Sequence, residues 1–304
     1  LSHGYTMMGT GQHLWFLSEH YRLTGDTQWW RDLTPNVENI CQWVGKQCRK
    51  TMRKDARGVD VPEYGLVPPG TVADWQDWGY IFSMEGYYYA GLSRAAEALK
   101  EIGDPRAREF AKDAAGLKES IQRAYKWTQS LAPVIPRGDG TWVPNYPMRL
   151  FKPGPCEQFF PNYSGAWIYD VELGAHHLVD EGVLDPRSKD VDWMADHMEN
   201  VQFMGGSTTS GALSAAASQK DWFNMGGFPK SQPYYGRYPE LCALRDDIKP
   251  FIRSYFNQLS VMFNREDLSL YENPGASVWN KTHETGHFLQ QTRQVCEAQH
   301  IRPI

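Results

Sequence analysis

The sequence predicts an all-α fold, an (α/α)n toroid of helical hairpins with long loops around a central cleft. Three observations predict it. Apolar residues recur at three- and four-residue spacing through most of the chain, the mark of helices with one buried stripe. Strand-like alternation nowhere persists beyond a few residues. The helical stretches are separated alternately by tight turns and by long aromatic loops, which such a toroid would gather at one end. Residues 1–304 read as one helical-toroid domain. Because the chain begins with Leu1 and shows no signal peptide, it reads as a processed form or the later part of a longer polypeptide.

Taken in order, Gly11 to Leu23 is an amphipathic helix with Leu14, Leu17 and Tyr21 on one face. It ends at Thr24-Gly25-Asp26, where glycine suits a left-handed cap. Asp26 or Thr27 caps a second helix, whose apolar positions are Trp30, Leu33, Val37, Ile40 and Val44. The stretch KTMRKDARGVD that follows is a solvated loop. A third helix spans about Ile81 to Ile102 and a fourth about Pro105 to Trp127, with Pro105 at the first helical position, where its missing donor costs nothing. Residues 131–161 form a long insertion with a short hairpin. Helices resume over 165–181, 186–203, 239–263 and 287–299, with loops rich in Gly, Ser and aromatic residues between them.

Composition narrows the function. The hydrophobic share of 41% and charged share of 22% are globular values. The excess is aromatic: 12 Trp, 16 Tyr and 13 Phe exceed core needs and point to a ligand cleft. A net charge of −5 gives no general attraction for nucleic acid, so none is expected as a partner. No apolar run approaches the roughly 20 residues that span a bilayer, so no membrane partner is expected either. Five scattered cysteines (41, 48, 156, 242 and 296) without a CxxC pair argue against a disulfide framework and a zinc knuckle. The sequons at Asn162 and Asn280 bear on compartment only in a eukaryotic secretory pathway; a secreted or periplasmic location is slightly favoured. No cofactor is expected, and the oligomeric state is open.

The stretch Gly65–Tyr89, GLVPPGTVADWQDWGYIFSMEGYYY, organises the rest. A Gly-Pro turn leads to two carboxylates, Asp74 and Asp77, interleaved with two indoles, Trp75 and Trp78, at the mouth of a helix. Sugar rings offer flat C–H faces to aromatic platforms and hydroxyls to carboxylates, and glycosidic hydrolysis generally uses two acids. The plainer reading makes the indoles core plugs and the aspartates helix caps.

Three segments carry a family resemblance. HLWFLSEHYRLTGDTQWWRDLTPNVENICQWV is a helix pair with a TGD turn, GTVADWQDWGYIFSMEGYYYAGLSRAAEALKEIG has a GDW-type loop and its helix, and NPGASVWNKTHETGHF is a late loop. Together they resemble the six-hairpin glycosidases, the (α/α)6-barrel enzymes, and among them the α-L-rhamnosidase-like group. The resemblance implies all or part of an (α/α)6 barrel and an inverting glycoside hydrolase. Two departures stand out. Asn280 occupies the place directly after the late-loop tryptophan where the group carries its general base. The group's acid-bearing segment, which normally precedes the TGD helix pair, is absent.

For the chemistry, Asp77 and Asp74 come first as the acid, since an apolar wall of indoles would raise one pKa. Glu284 in THETGH is the nearest replacement for the base and Glu272 in YENPG the next, both on the late loop, with Glu157 a third choice. Glu85, Asp170 and Glu172 fall on predicted helices and read as structural acids. Trp75, Trp78, Trp167, Trp279, Tyr234 and Tyr235 are candidate sugar platforms, and His283 and His287 flank the base as substrate-binding groups. Core burial is the plain alternative for each aromatic.

Rival readings remain. A polysaccharide lyase on the same toroid would use Tyr234, Tyr235 or His283 as the base and Arg237 to neutralise a uronate. A carbohydrate-binding relative would have kept the cleft and lost the acids, and Asn280 fits that. His283-Glu284-Thr285-Gly286-His287 matches the HExxH zinc string in form. Gly286 suits a helix interior poorly, and a third ligand would be needed, so no metal is expected. His176-His177 reads as half core, half surface.

Overall fold

The computed structural model describes residues 8–71, 78–136, 139–153, 171–199, 237–262 and 292. The described chain is mostly helical, as expected of an all-α fold. None of its helices is long and apolar enough to cross a membrane. It forms two compact units.

The first unit draws on Leu1–Leu131, Pro147–Pro153 and Glu181–Leu184. Its helices are α1 (Met8–Thr24), α2 (Thr27–Thr51), α3 (Phe82–Glu101) and α4 (Ala107–Ser130). Helix α1 buries Gly11, Leu14, Ser18 and Tyr21, a stripe with helical spacing. It stops where Gly25 takes a φ of 67° and donates to the Tyr21 carbonyl at 2.8 Å. Asp26 then caps α2 by accepting the Trp29 amide at 2.9 Å. Trp30, Val37 and Val44 of the predicted stripe are fully buried, while Leu33 and Ile40 lie at its half-buried edge. The basic stretch after α2 is a largely exposed turn built on Asp55, whose carboxylate accepts the amides of Arg57 and Val59 at 2.8 and 3.0 Å.

Helix α3 is the centre of this unit. Ala90, Leu92, Ala95, Ala96 and Leu99, the spaced small and apolar residues of the sequence, are all buried in it. So are Phe82, Met84, Tyr87 and Tyr88, so that the helix is covered on nearly every side. Helix α4 starts later than its proline suggests. Pro105 precedes the cap, Arg106, and is not the first helical residue. The Asp104 carboxylate accepts the Arg106 amide at 2.8 Å and turns the chain before the helix can begin.

The second unit draws on Ala132–Tyr146, Gly154–Asp180 and Asp185–Ile304. The hairpin expected in the insertion is present as strands β1 (Val134–Pro136) and β2 (Trp142–Pro144), antiparallel with Ile135 opposite Val143. A π-helical turn over Val171–His176 runs into α5 (His177–Asp180), followed by α6 (Lys189–His197), α7 (Tyr238–Arg245) and α8 (Ile248–Met262). The single helix expected over 239–263 is therefore two. Asp246 adopts a φ of 60°, in the left-handed region that aspartate tolerates better than most residues. Arg245 pins the corner by donating to Asp247, Asp192 and the Pro186 carbonyl at 2.7, 3.0 and 2.7 Å. Pro250 then falls in the first turn of α8, where its missing amide has no acceptor to serve. The helix expected to end at Glu181 ends at Asp180, and 165–170 lie outside the described residues.

Candidate functional site

The loop that carries Asp74, Trp75 and Asp77 is held from both stems, although these three residues lie outside the described ones. Before the loop, the Thr51 hydroxyl at the end of α2 donates to the Leu66 carbonyl at 2.6 Å. Glu85 in the first turn of α3 accepts the Val67 amide at 3.1 Å. Gly70 and Gly79 then exchange both backbone hydrogen bonds, at 3.0 and 2.9 Å, and close the stretch from Thr71 to Trp78 at its base. After the loop, residues 80–82 lie antiparallel to 148–150. Leu150 donates to the Tyr80 carbonyl and Phe82 to that of Met148, both at 3.0 Å. Arg149 is buried, and its side chain lies 3.2 Å from where a Cβ on Gly79 would stand. Sequence places the acids on a loop at the mouth of α3, and the described residues on either side of that stretch are joined by backbone hydrogen bonds.

Trp78, the described platform candidate, is 68% exposed. That excludes the core-plug reading for this indole and leaves its face open to a ligand. Next along the stem is Tyr80, whose ring meets Phe151 edge-on at 6.3 Å; Phe151 meets Trp127 of α4 edge-on at 5.6 Å. Phe151 and Trp127 are partly open, and neither was singled out in the sequence. Their signal was weak: Trp127 sits outside the buried stripe of α4, and Phe151 ends a Pro-rich run.

Glu85 is buried completely, and that burial raises its carboxyl well above the usual carboxylate range; the Val67 amide lowers it only in part. Its burial and its hydrogen bond to the Val67 amide fit the structural role read from sequence. Tyr80 is raised as well, first by burial and then by the charges of Glu63 and Glu85.

The second unit concentrates its buried polar groups at the ends of α5, α6 and α7. His176 and His177 are both buried, which corrects the expectation of one core and one surface residue. The segment is covered on every side, since Gly174 to Val179 are all buried, so neither histidine has a solvent face. His176 lies against the Tyr238 ring at 5.7 Å and its pKa is pushed down to about 3 by burial, then by the neighbouring His197. Burial takes His197 down to about 4. Tyr238 donates to Glu199 at 2.5 Å, and Arg253 pairs with the same carboxylate. Arg237, which the lyase reading uses to neutralise a uronate, is only 2% exposed. It pairs with Asp180 and Glu240 at 3.8 and 3.6 Å, so its charge is already committed inside the protein.

The other predicted site residues lie outside the described ones: Glu157, Trp167, Asp170, Tyr234, Tyr235, Glu272, Trp279, His283, Glu284 and His287. Glu172 lies in the π-helical turn. Among the described residues no group of three His, Cys, Asp or Glu side chains could hold a metal. A groove of about 700 Å³ runs between α3 and α4, floored by alanines and edged by Glu97, Lys100, Arg108 and Lys118. None of the predicted site residues lines it. No family model, curated protein or solved structure matches this chain.

Proposed function

We propose that this protein is a glycoside hydrolase built on a helical toroid, all or part of an (α/α)6 barrel, acting on a polysaccharide or oligosaccharide. Asp77 or Asp74 serves as the acid that protonates the leaving oxygen. Glu284 or Glu272 serves as the base that activates water, with inversion at the anomeric carbon, as the likeness to the α-L-rhamnosidase-like enzymes implies. The observation that supports the reading best is the loop base: Gly70 and Gly79 clamp a loop bearing two carboxylates and two indoles, and Trp78 stands open beside the clamp. A hydrogen-bonded stem suits a catalytic acid, because small misplacements of a reacting group cost rate steeply.

The test is a product profile. Purified protein, with Asp77→Asn and Glu284→Gln variants, is incubated with neutral and acidic polysaccharides, and products are read by mass spectrometry and ultraviolet absorbance. Saturated products that disappear in both variants support the assignment. Unsaturated products would show a lyase instead, and sugar binding without products would show a binding protein.

A further inference from the structure

Phe151 is placed at a cost that folding does not explain. It occupies the tip of a tight turn bridged between Arg149 and Lys152. There it has a φ of 70°, a conformation in which glycine or asparagine is the usual occupant. Bulky residues in that region are held against a steric penalty, and such outliers gather at ligand-binding sites. The ring is only about half covered in return, since 48% of Phe151 remains exposed. Trp127, its edge-on neighbour, is 38% exposed. Tyr80, on its other contact, is half-buried and carries the backbone carbonyl that anchors the turn through Leu150. The three aromatics thus form a contiguous, partly open group, held by a buried stem and reached two residues after Trp78.

We propose that Tyr80, Phe151 and Trp127 form a stacking subsite for a pyranose ring of the substrate, adjoining the acid-bearing loop; this rests on the carbohydrate reading above. The chemistry favours a sugar over the other ligands that stack on aromatic rings. A protein partner needs about 800 Å² on each side, far beyond three partly buried rings. Nucleobases stack as well, but nucleic-acid binding draws on phosphate neutralisation, which a chain with a net charge of −5 does not generally supply. A hexose chain presents alternating apolar faces and hydroxyls, matching rings with apolar bodies and the tyrosine and indole polar tips.

The experiment is isothermal titration of the full chain with cellohexaose, xylohexaose, mannohexaose and oligogalacturonate, with the oligonucleotide dT12 as a competing class. Phe151→Gly suits the backbone and removes the ring; Phe151→Tyr restores it. Binding of one of these sugars that weakens about fivefold or more in Phe151→Gly, and is retained in Phe151→Tyr, is the expected result. Trp127→Ala provides the same reading from α4 should Phe151→Gly fail to fold. Equal affinity in parent and ring-deleted variants overturns the subsite; hydrolysis by the parent would then leave the enzyme reading standing without it. Binding of dT12 alone, or of none of the sugars, also overturns the subsite, and the product profile decides the hydrolase reading separately. Sugar binding that depends on Phe151, with no products from any substrate, keeps the subsite and removes the hydrolase.

Discussion

Gly11 of α1 and Gly91 of α3 cross backbone against backbone. A Cβ added at Gly91 would run into the Gly11 carbonyl oxygen and stand 2.9 Å from the Leu14 Cβ; one at Gly11 would stand 2.5 Å from the Tyr87 carbonyl carbon. Two helices approach this closely only where both lack side chains, and the helix that carries the candidate site on its N-terminus is seated by this crossing. The backbone atoms cannot swing aside. Gly91→Ala is therefore expected to destabilise by about 3 kcal/mol, the upper end for overpacking. Gly116→Ala is the control: nothing lies within 4 Å of its added Cβ in the exposed middle of α4. It should stabilise by about 0.5–1 kcal/mol, since alanine loses less backbone entropy. Urea unfolding of the two variants checks both signs.

Glu85 gives a stability term that runs opposite to most carboxylates. Its folded pKa lies above the ordinary value of 4.5 because burial disfavours the charge. Above pH 4.5 the unfolded chain releases this proton while the native chain keeps it. Stability is thus fully present below 4.5 and is lost as pH rises towards the folded pKa, by at most about 1.4 kcal/mol per pH unit. Glu85→Gln keeps an oxygen for the Val67 amide and cannot ionise. Its stability relative to the parent should climb as pH rises above 4.5 in denaturant titrations; a constant difference would mean that Glu85 is charged in the fold.

What was legible in the sequence was what period and punctuation encode. Leu14 and Tyr21 of α1, the Gly25 stop, the Asp26 cap and the buried face of α3 could each be read residue by residue, because each follows from local geometry; Leu17, expected on the same face, is only half-buried, and Gly11 and Ser18 complete the stripe. The break at Asp246 was also written, in Asp-Asp-Ile-Lys-Pro, since Pro250 belongs in a first turn; the continuing apolar spacing hid it. The burial of both His176 and His177 has no comparable periodic signal, because Gly174 to Val179 are covered on every side and not along one stripe. At the candidate site, the open indole of Trp78 before α3 could be read from the order of residues there, while Asp74 and Asp77 lie outside the described residues. The Tyr80–Phe151–Trp127 contacts could not, because they join residues far apart in sequence through the 80–82 and 148–150 pairing.

Acid should loosen the protein through its buried histidines. His176 and His197 have folded pKa values near 3 and 4, against an ordinary value of 6.5. Both are neutral in the fold, and the unfolded chain takes up their protons first. Their contribution is complete above pH 6.5 and is lost as pH falls towards 4, at up to about 1.4 kcal/mol per unit for each group. His176→Phe keeps an aromatic ring against Tyr238 and removes the titrating group. The acid slope of its stability between pH 6 and 4 should be shallower than the parent's. An unchanged slope would mean that His176 does not take up a proton on unfolding.

Trp78 and Asp77 separate binding from chemistry at the proposed site. Trp78 is so exposed that its removal should cost the fold little, within about 0.5 kcal/mol. If its face carries a sugar, Trp78→Ala should raise KM severalfold on whichever polysaccharide the parent cleaves. The effect on kcat should be smaller, because a platform holds ground state and transition state alike. Asp77→Asn should behave in the opposite way. A lost general acid lowers kcat by roughly 10²–10⁴ and leaves KM nearly unchanged. The deficit should also shrink on substrates with activated leaving groups, such as nitrophenyl glycosides, which leave without a proton. Equal loss on good and poor leaving groups would move the acid role from Asp77 to Asp74, and the same pair of substrates run on Asp74→Asn would decide it.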